Sequence, residues 1–484
     1  MDIRELKPER VWTHFYSLTQ IPRPSKKEEK AVLFLEKFGK DLGLETIKDQ
    51  LGNIIIRKPA SKGMENRKGI IFQAHIDMVP QKNSDKVHDF EKDPIIPRVV
   101  EDWMYAIGTT LGADNGLGIA VAMAVLEDKD MVHGPVEALF TIDEEAGMNG
   151  ARGLKAGLLK GDILINLDSE DEGELYVGCA GGLDANVKFT YSEVATPAGT
   201  EGYKLILTGL KGGHSGMDIV LGRGNANKAL VRILLPLMKD LGASLASIEG
   251  GSLRNAIPRE GFATLAIPAA NAEAAKKVVE KHFTEMKHEL SAHEVDLKIT
   301  LEKCDTPATI IDNKTALNMV KAVYACPNGV ERMSDAMPGL VETSNNLAIV
   351  KSGNGMIEIS CLMRSSVDSA KDILAAAIAS TFELAGAEVS LSGGYPGWKP
   401  NMDSDILKTM KSVYKKLYGN EPEVKAIHAG LECGILGGAY PNWDMISCGP
   451  TIRSPHSPDE RVHIPTVQKW WDYIIEVLKN APVK

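Results

Sequence analysis

The chain has 484 residues, 44% hydrophobic and 25% charged, with 45 glycines. That balance suits a globular protein with a large core and excludes disorder, collagen-like repeats and mucin-like stalks. A formal net charge of −10 with no long basic cluster argues against nucleic acid and anionic membrane as partners.

No apolar run approaches the ~18 residues that would span a bilayer, and the N-terminus, MDIRELKPER, is charged where a secretory leader would be apolar. A cytoplasmic location is expected. The six cysteines are scattered without a CxxC pair, which disfavours a zinc knuckle or a disulfide framework and fits a reducing compartment.

In chain order, residues 68–168 alternate short apolar runs with helix-like segments: GIIFQA, GLGIAVAMAVLED, VEALFTI and DILINL. Strands apolar on both faces, separated by an apolar helix, predict βαβ units and a buried, largely parallel sheet covered on both sides. The texture changes at GCAGGL. Period-two runs such as NVKFTYSEV, YKLILTGL and VDLKITLE then alternate with long amphipathic helices, NAEAAKKVVEKHFTEMKHELSAH the clearest, which predicts an α+β domain with helices on one face of an antiparallel sheet. GGYPGWKP reads as a return linker. The expected class is α/β, a mixed, largely parallel sheet with helices on both faces plus an inserted α+β domain. The expected boundaries are 1–183 and 397–484 for the main domain and 184–396 for the insert.

The sharpest chemical signal is His75-Ile76-Asp77, which closes an apolar run. Residues two apart share a strand face, so imidazole and carboxylate would project together at a strand's C-terminal end, where α/β folds place ligands. Asp77 could then accept the second ring N–H of a metal-bound His75 and fix its tautomer. Asp114 in LGADNGLG, Glu144 and Glu145 after VEALFTID, and Asp168 ending DILINLD also lie at the ends of apolar runs. Several carboxylates at one end of a buried sheet repel one another unless cations neutralise them. Histidine with carboxylates and no cysteine suits zinc, with manganese or cobalt next. Neighbouring glutamates diverge, so one can ligate while the other reaches a metal-activated water. His456, in the proline-bounded SPHSPDERV, is a further candidate ligand.

This ordered set resembles the co-catalytic two-zinc peptidases, a family that includes aminoacylases, succinyl-diaminopimelate desuccinylases and dipeptidases. AHIDMVPQK, TTLGADNG, TIDEEAGM, INLDSED, GCAGG, GLKGGHSG, LRNAIPRE, YPGWKP, HAGLECG and SPHSPDERV all resemble its dipeptidase members, over nearly the whole chain. The resemblance implies two divalent ions. His75 and Asp168 would be terminal ligands of one, Glu145 and His456 of the other, and Asp114 would bridge them. Asp77 would orient His75, and Glu144 would be general base for the bridging water. Two divalent ions would balance the three ligand carboxylates and one hydroxide.

The insert would be a lid that also carries a homodimer contact. His214 in KGGHSG and Asn255 in LRNAIP would bind the substrate carbonyl and the oxyanion, and Arg364, ending MIEISCLMR, would grip the C-terminal carboxylate. The expected activity is hydrolysis of unblocked dipeptides, Xaa-His and broader. An N-acyl amino acid hydrolase, a tripeptidase, or a non-catalytic metal- or peptide-binding protein remain as alternatives, and a retained Glu144 argues against the last.

Overall fold

The structure is a computed structural model that describes residues 2–484. It divides into two compact units: one runs to Gly178 and resumes over Trp398–Ala426 and Leu431–Lys484, the other comprises Cys179–Gly397 and Ile427–Gly430.

The first unit is built on an eight-stranded sheet, in the order Glu45–Lys48, Ile54–Lys58, Val136–Thr141, Ile70–His75, Ile163–Asn166, Asp444–Ser447, Glu174–Cys179 and Glu423–Ile427. The four strands from Val136–Thr141 to Asp444–Ser447 are mutually parallel, and the pairs at Glu45–Lys48, Ile54–Lys58 and Glu174–Cys179 are antiparallel. Every residue of Val136–Thr141, Ile70–His75 and Ile163–Asn166 is buried, so both sheet faces are covered, in keeping with largely apolar runs that do not alternate. The helix Ala113–Glu127 is buried all round from Leu117 to Leu126, which explains why it shows no amphipathic stripe. A small antiparallel sheet joins the hairpin Pro97–Val100/Trp103–Ala106 to Arg461–His463 and Ile452–Arg453. That sheet fixes the C-terminal loop holding His456.

The second unit is an antiparallel sheet, ordered Lys298–Cys304, Thr200–Thr208, Gly261–Pro268, Ser244–Gly250, Val341–Gly353, Met356–Ser365, Gly181–Thr190 and Glu388–Tyr395, with Gly329–Met333 also paired to Val341–Gly353. Alternate residues such as Ala185, Val187 and Phe189, or Ile357, Ile359 and Cys361, enter one core with the helices Ala226–Leu241, Ala272–Glu289, Asn313–Ala325 and Asp368–Leu384. Lys188 and Glu358 between them stay exposed. The helices therefore cover one sheet face, as period-two alternation dictates. In Ala272–Glu289 the buried positions are Ala272, Ala275, Val279 and Met286, a stripe at helical spacing, while His288 is exposed.

Candidate active site

In the first unit, three neighbouring parallel strands deliver their C-terminal ends to one place. Ile70–His75 ends on His75, Ile163–Asn166 is followed two residues later by Asp168, and Val136–Thr141 leads into Glu144 and Glu145. Asp114 enters from the first turn of Ala113–Glu127, where its own φ/ψ and that of Asn115 are non-helical. The Asn115 amide donates to the Leu167 carbonyl at 3.1 Å and to the Asp168 carboxylate, which ties this turn to the third strand. His456, at φ 59°, comes from the loop between Ile452–Arg453 and Arg461–His463.

The two oxygens of Asp114 face different partners. Oδ1 lies 3.0 Å from His75 Nε2, which is itself 3.3 Å from Asp168 Oδ1; Oδ2 lies 3.2 Å from His456 Nε2, which is 2.9 Å from Glu145 Oε1. One ligand atom each from His75, Asp114 and Glu145 falls within 4.8 Å of the others, a spacing that could hold a metal ion. Glu145 Oε1 is buried and its polar neighbour is His456 Nε2, so an imidazole and a carboxylate, both metal-ligating groups, converge there. The oxygen and imidazole donors fit zinc, manganese or cobalt.

Asp77 braces this assembly in two directions. Its main-chain carbonyl accepts from His75 Nδ1 at 3.1 Å, with its carboxylate Oδ1 at 3.5 Å, so Nε2 is the nitrogen left for Asp114 and Asp168. The carboxylate accepts the peptide N–H groups of Glu144 at 2.9 Å and Glu145 at 3.2 Å, and the Ser25 hydroxyl at 2.7 Å. Burial opposes ionisation of Asp77, but the bonds from His75, Ser25 and Glu144 outweigh it and hold the carboxyl at about 2. Glu144 contrasts with it. Burial lifts its carboxyl well above the ordinary range, the His75 ring opposes that rise, and the carboxylates of Asp168, Glu432 and Glu145 reinforce it.

Several supporting residues escaped sequence reasoning. Fully buried Glu432 accepts from Gln73 Nε2 at 2.5 Å and Thr141 Oγ1 at 2.8 Å, beneath the strand ends, and burial pushes it up to about 8. An acid at the start of the otherwise apolar segment ECGILGGA was the available signal. Glu460 accepts four peptide N–H groups of the Asp114 loop, and Arg23 donates to three carbonyls around it. Glu460 sits four positions after His456 in SPHSPDERV, a cue of sorts; Arg23, in IPRPSKKEEK, offered none.

The three residues expected in the insert lie together in the second unit. The two-residue strand Gly213–His214 pairs with Ala256–Ile257, placing His214 opposite Ala256, and Ser215 N donates to the Asn255 carbonyl at 2.8 Å. His214 Nδ1 accepts from the N–H groups of Gly216 at 3.2 Å and Met217 at 3.1 Å, so a neutral ring carries its proton on Nε2. Burial, then the nearby Arg364 cation, lower the His214 pKa and favour that neutral form. Asn255 is exposed. Arg364 is buried, 3.4 Å from Ser215 Oγ and 3.5 Å from Tyr395 Oη, and makes no ion pair among the described residues. The Asp184 carboxylate feels the Arg364 charge but forms its ion pair with Arg254, so a ligand carboxylate reaching Arg364 would relieve the cost of its burial.

Residues 71–480 match the description Peptidase family M20/M25/M40, and the chain belongs to that family. It is 47% identical over 483 residues to the cytosol non-specific dipeptidase of Escherichia coli (strain K12), covering all of both chains. Among solved structures, an aminoacylhistidine dipeptidase from Vibrio alginolyticus superposes with a TM-score of 0.97 at 48% identity, over 100% of this chain and 99% of that one. The aminopeptidase PepT of Bacillus cereus ATCC 10987, at TM-score 0.58 and 18% identity over 98% and 99% of the two chains, shares the fold alone.

Proposed function

We propose that this peptidase is a metal-dependent dipeptidase acting on unblocked dipeptides, Xaa-His among them, with two divalent ions, zinc foremost. The carrying observation is that each oxygen of Asp114 faces its own histidine–carboxylate pair. His75 and Asp168 would hold one ion and Glu145 and His456 the other, with Asp114 shared between the two pairs. The full-length likeness to two dipeptidases supports the substrate class.

Divalent ions bound there would supply Lewis acidity toward the scissile carbonyl and would lower the pKa of water toward neutrality. Glu144 takes the proton of the attacking water and passes it to the leaving amine, while Asp77 fixes the turn that carries Glu144 and the tautomer of His75. His214, as a neutral Nε2–H donor, and the Asn255 amide stabilise negative charge developing on the carbonyl oxygen. Arg364 pairs bidentately with the free C-terminal carboxylate.

The decisive experiment is a matrix of metals against substrates on purified protein, with free dipeptides, acetylated amino acids and tripeptides. Preference for acetylated amino acids or tripeptides would replace the dipeptidase reading by one of its alternatives.

Two further readings are proposals of the same standing. Among the described residues no helix is long and apolar enough to cross a membrane, and a cytosolic place of action is supported by the Escherichia coli relative's name. The second unit carries a homodimer contact: its edge strand Glu388–Tyr395 is exposed along most of its length, a template for pairing with another copy. Sedimentation showing only monomer at micromolar concentration would refute the dimer.

A further inference from the structure

The loop Leu111–Asp114 opens the helix Ala113–Glu127, and the first peptide N–H groups of a helix lack partners within it. Here one carboxylate takes three of them, from the cap residue Gly112 and from Ala113 and Asp114, together with the N–H of Leu111 just before the cap. Glu460 Oε2 accepts from Leu111 N at 2.7 Å and Gly112 N at 2.9 Å, and Oε1 from Ala113 N at 2.8 Å and Asp114 N at 3.3 Å. Glu460 is 2% exposed, so these bonds are made out of reach of water. The loop is gripped from its other side as well. Arg23, also 2% exposed, donates to the Gly112 carbonyl at 2.6 Å and to the carbonyls of Ile76 at 2.7 Å and Asp77 at 3.0 Å. Only glycine serves at position 112: its φ is +70°, and a Cβ there would stand 2.7 Å from Arg23 Nη2.

Glu460 also belongs to the His456 loop. Its N–H donates to the Ser457 carbonyl at 2.9 Å, and the next residues, Arg461–His463, form a strand paired with Trp103–Ala106. One side chain thus joins the chain carrying His456 to the chain carrying Asp114.

We propose that Glu460 is a positioning residue that sets Asp114 and His456 relative to each other, so that the ion held by Glu145 and His456 depends on it more than the ion held by His75 and Asp168. The inference rests on the two-ion reading above. A partner behind a ligand typically changes metal affinity by about 10–100-fold. The asymmetry follows from connectivity. His75 and Asp168 sit on strand ends fixed by the sheet and by Asn115, whereas His456 sits on a loop whose tie to Asp114 is Glu460.

The test titrates metal-free protein with zinc against a competing chelator, for wild type, Glu460→Gln and Glu137→Gln. The Glu460→Gln change keeps the shape of the side chain but turns an NH2 group toward two of the peptide N–H donors. Glu137 is a control of like chemistry: it is buried and accepts the N–H groups of Lys160 and Gly161, each at 2.7 Å, at the far end of its strand from the site. Wild type should bind two zinc ions per chain; fewer would refute the two-ion reading and this inference with it. Glu460→Gln should weaken one zinc by at least about tenfold and the other markedly less, whereas Glu137→Gln should lower the melting temperature and leave both affinities near wild type. Unchanged affinities in Glu460→Gln, or an equal loss at both sites, would overturn the proposal with the two-ion reading intact. If Glu460→Gln does not fold, hydrogen exchange on the wild-type chain decides. The amides of residues 111–114 should be strongly protected with and without metal, and exchange as fast as in exposed loops would overturn the proposal.

Discussion

The Asp77 carboxylate accepts the peptide N–H of Glu144 at 2.9 Å, so Glu144 is held by its backbone while its side chain remains free to exchange a proton. The same carboxylate holds Glu145 through its N–H. A change at the Glu144 side chain therefore leaves the turn and Glu145 in place. Glu144→Gln should retain the metal content of wild type and lose at least about a hundredfold in turnover, the lower end for a positioned acid/base. Metal analysis beside kcat checks both halves. Near-normal turnover would remove Glu144 from the base role, and lost metal would mean that Glu144 is itself a ligand.

Chelation should abolish activity and lower the melting temperature. Burial raises the carboxyls of Glu144, Glu145 and Asp168, which shows how poorly this pocket tolerates their charge without cations. An ion that binds only the folded chain adds its binding free energy to stability. Thermal melts with and without chelator, followed by re-addition of zinc, manganese or cobalt, measure this, and an unchanged melt with full activity would contradict it.

Arg364 should set the length of the substrate. It is buried with no ion pair among the described residues, so a substrate carboxylate would neutralise it and an amide in that place would not. Leaving a buried cation unpaired costs about 3 kcal/mol or more. Wild type should thus favour a free dipeptide over its C-terminal amide by roughly a hundredfold or more in kcat/KM, and Arg364→Met should lose most of that preference. If the preference persists in the variant, the carboxylate anchor is another residue.

His428 should make the second unit sensitive to acid. Burial, followed by the Arg364 cation, depresses its pKa to about 3, a shift that the Val341 backbone opposes only in part; its Nε2 lies 2.7 Å from Ser344 Oγ. The folded value lies below the unfolded one of about 6.5, so the unfolded chain binds the extra proton. The stability is present above pH ~6.5 and is lost as the pH falls toward 3. His428→Gln should flatten that limb. Urea midpoints of metal-free wild type and variant between pH 7 and 4 provide the measurement, and parallel curves would refute the assignment.

The parallel core was legible because strands covered on both faces are mostly apolar without alternation, and GIIFQA, VEALFTI and DILINL are, apart from single polar residues such as Gln73, Glu137 and Asn166. The antiparallel unit was legible for the complementary reason, since one covered face writes alternation into the sequence. The acids at the ends of those runs stood out because a carboxylate there needs a partner. His214 and Asn255 came from motif resemblance, and their nearness is a matter of the pairing of Gly213–His214 with Ala256–Ile257.

Sequence by itself thus determined which side chains end the strands and helix of the site, since strand periodicity and the location of charge in apolar runs are local properties. Tertiary structure alone decided how those groups meet. That Asp114 turns one oxygen to His75 and the other to His456, and that Arg23 and Glu460 both grip the Asp114 loop, are contacts between distant segments. Glu460 and Leu111 are 349 positions apart. Their hydrogen bond exists because the strand Arg461–His463 pairs with Trp103–Ala106 and carries a carboxylate to peptide N–H groups that the helix start leaves unsatisfied. A hydrogen bond to a main-chain N–H does not by itself fix the side chain that goes with that N–H, so such contacts leave little mark in the sequence.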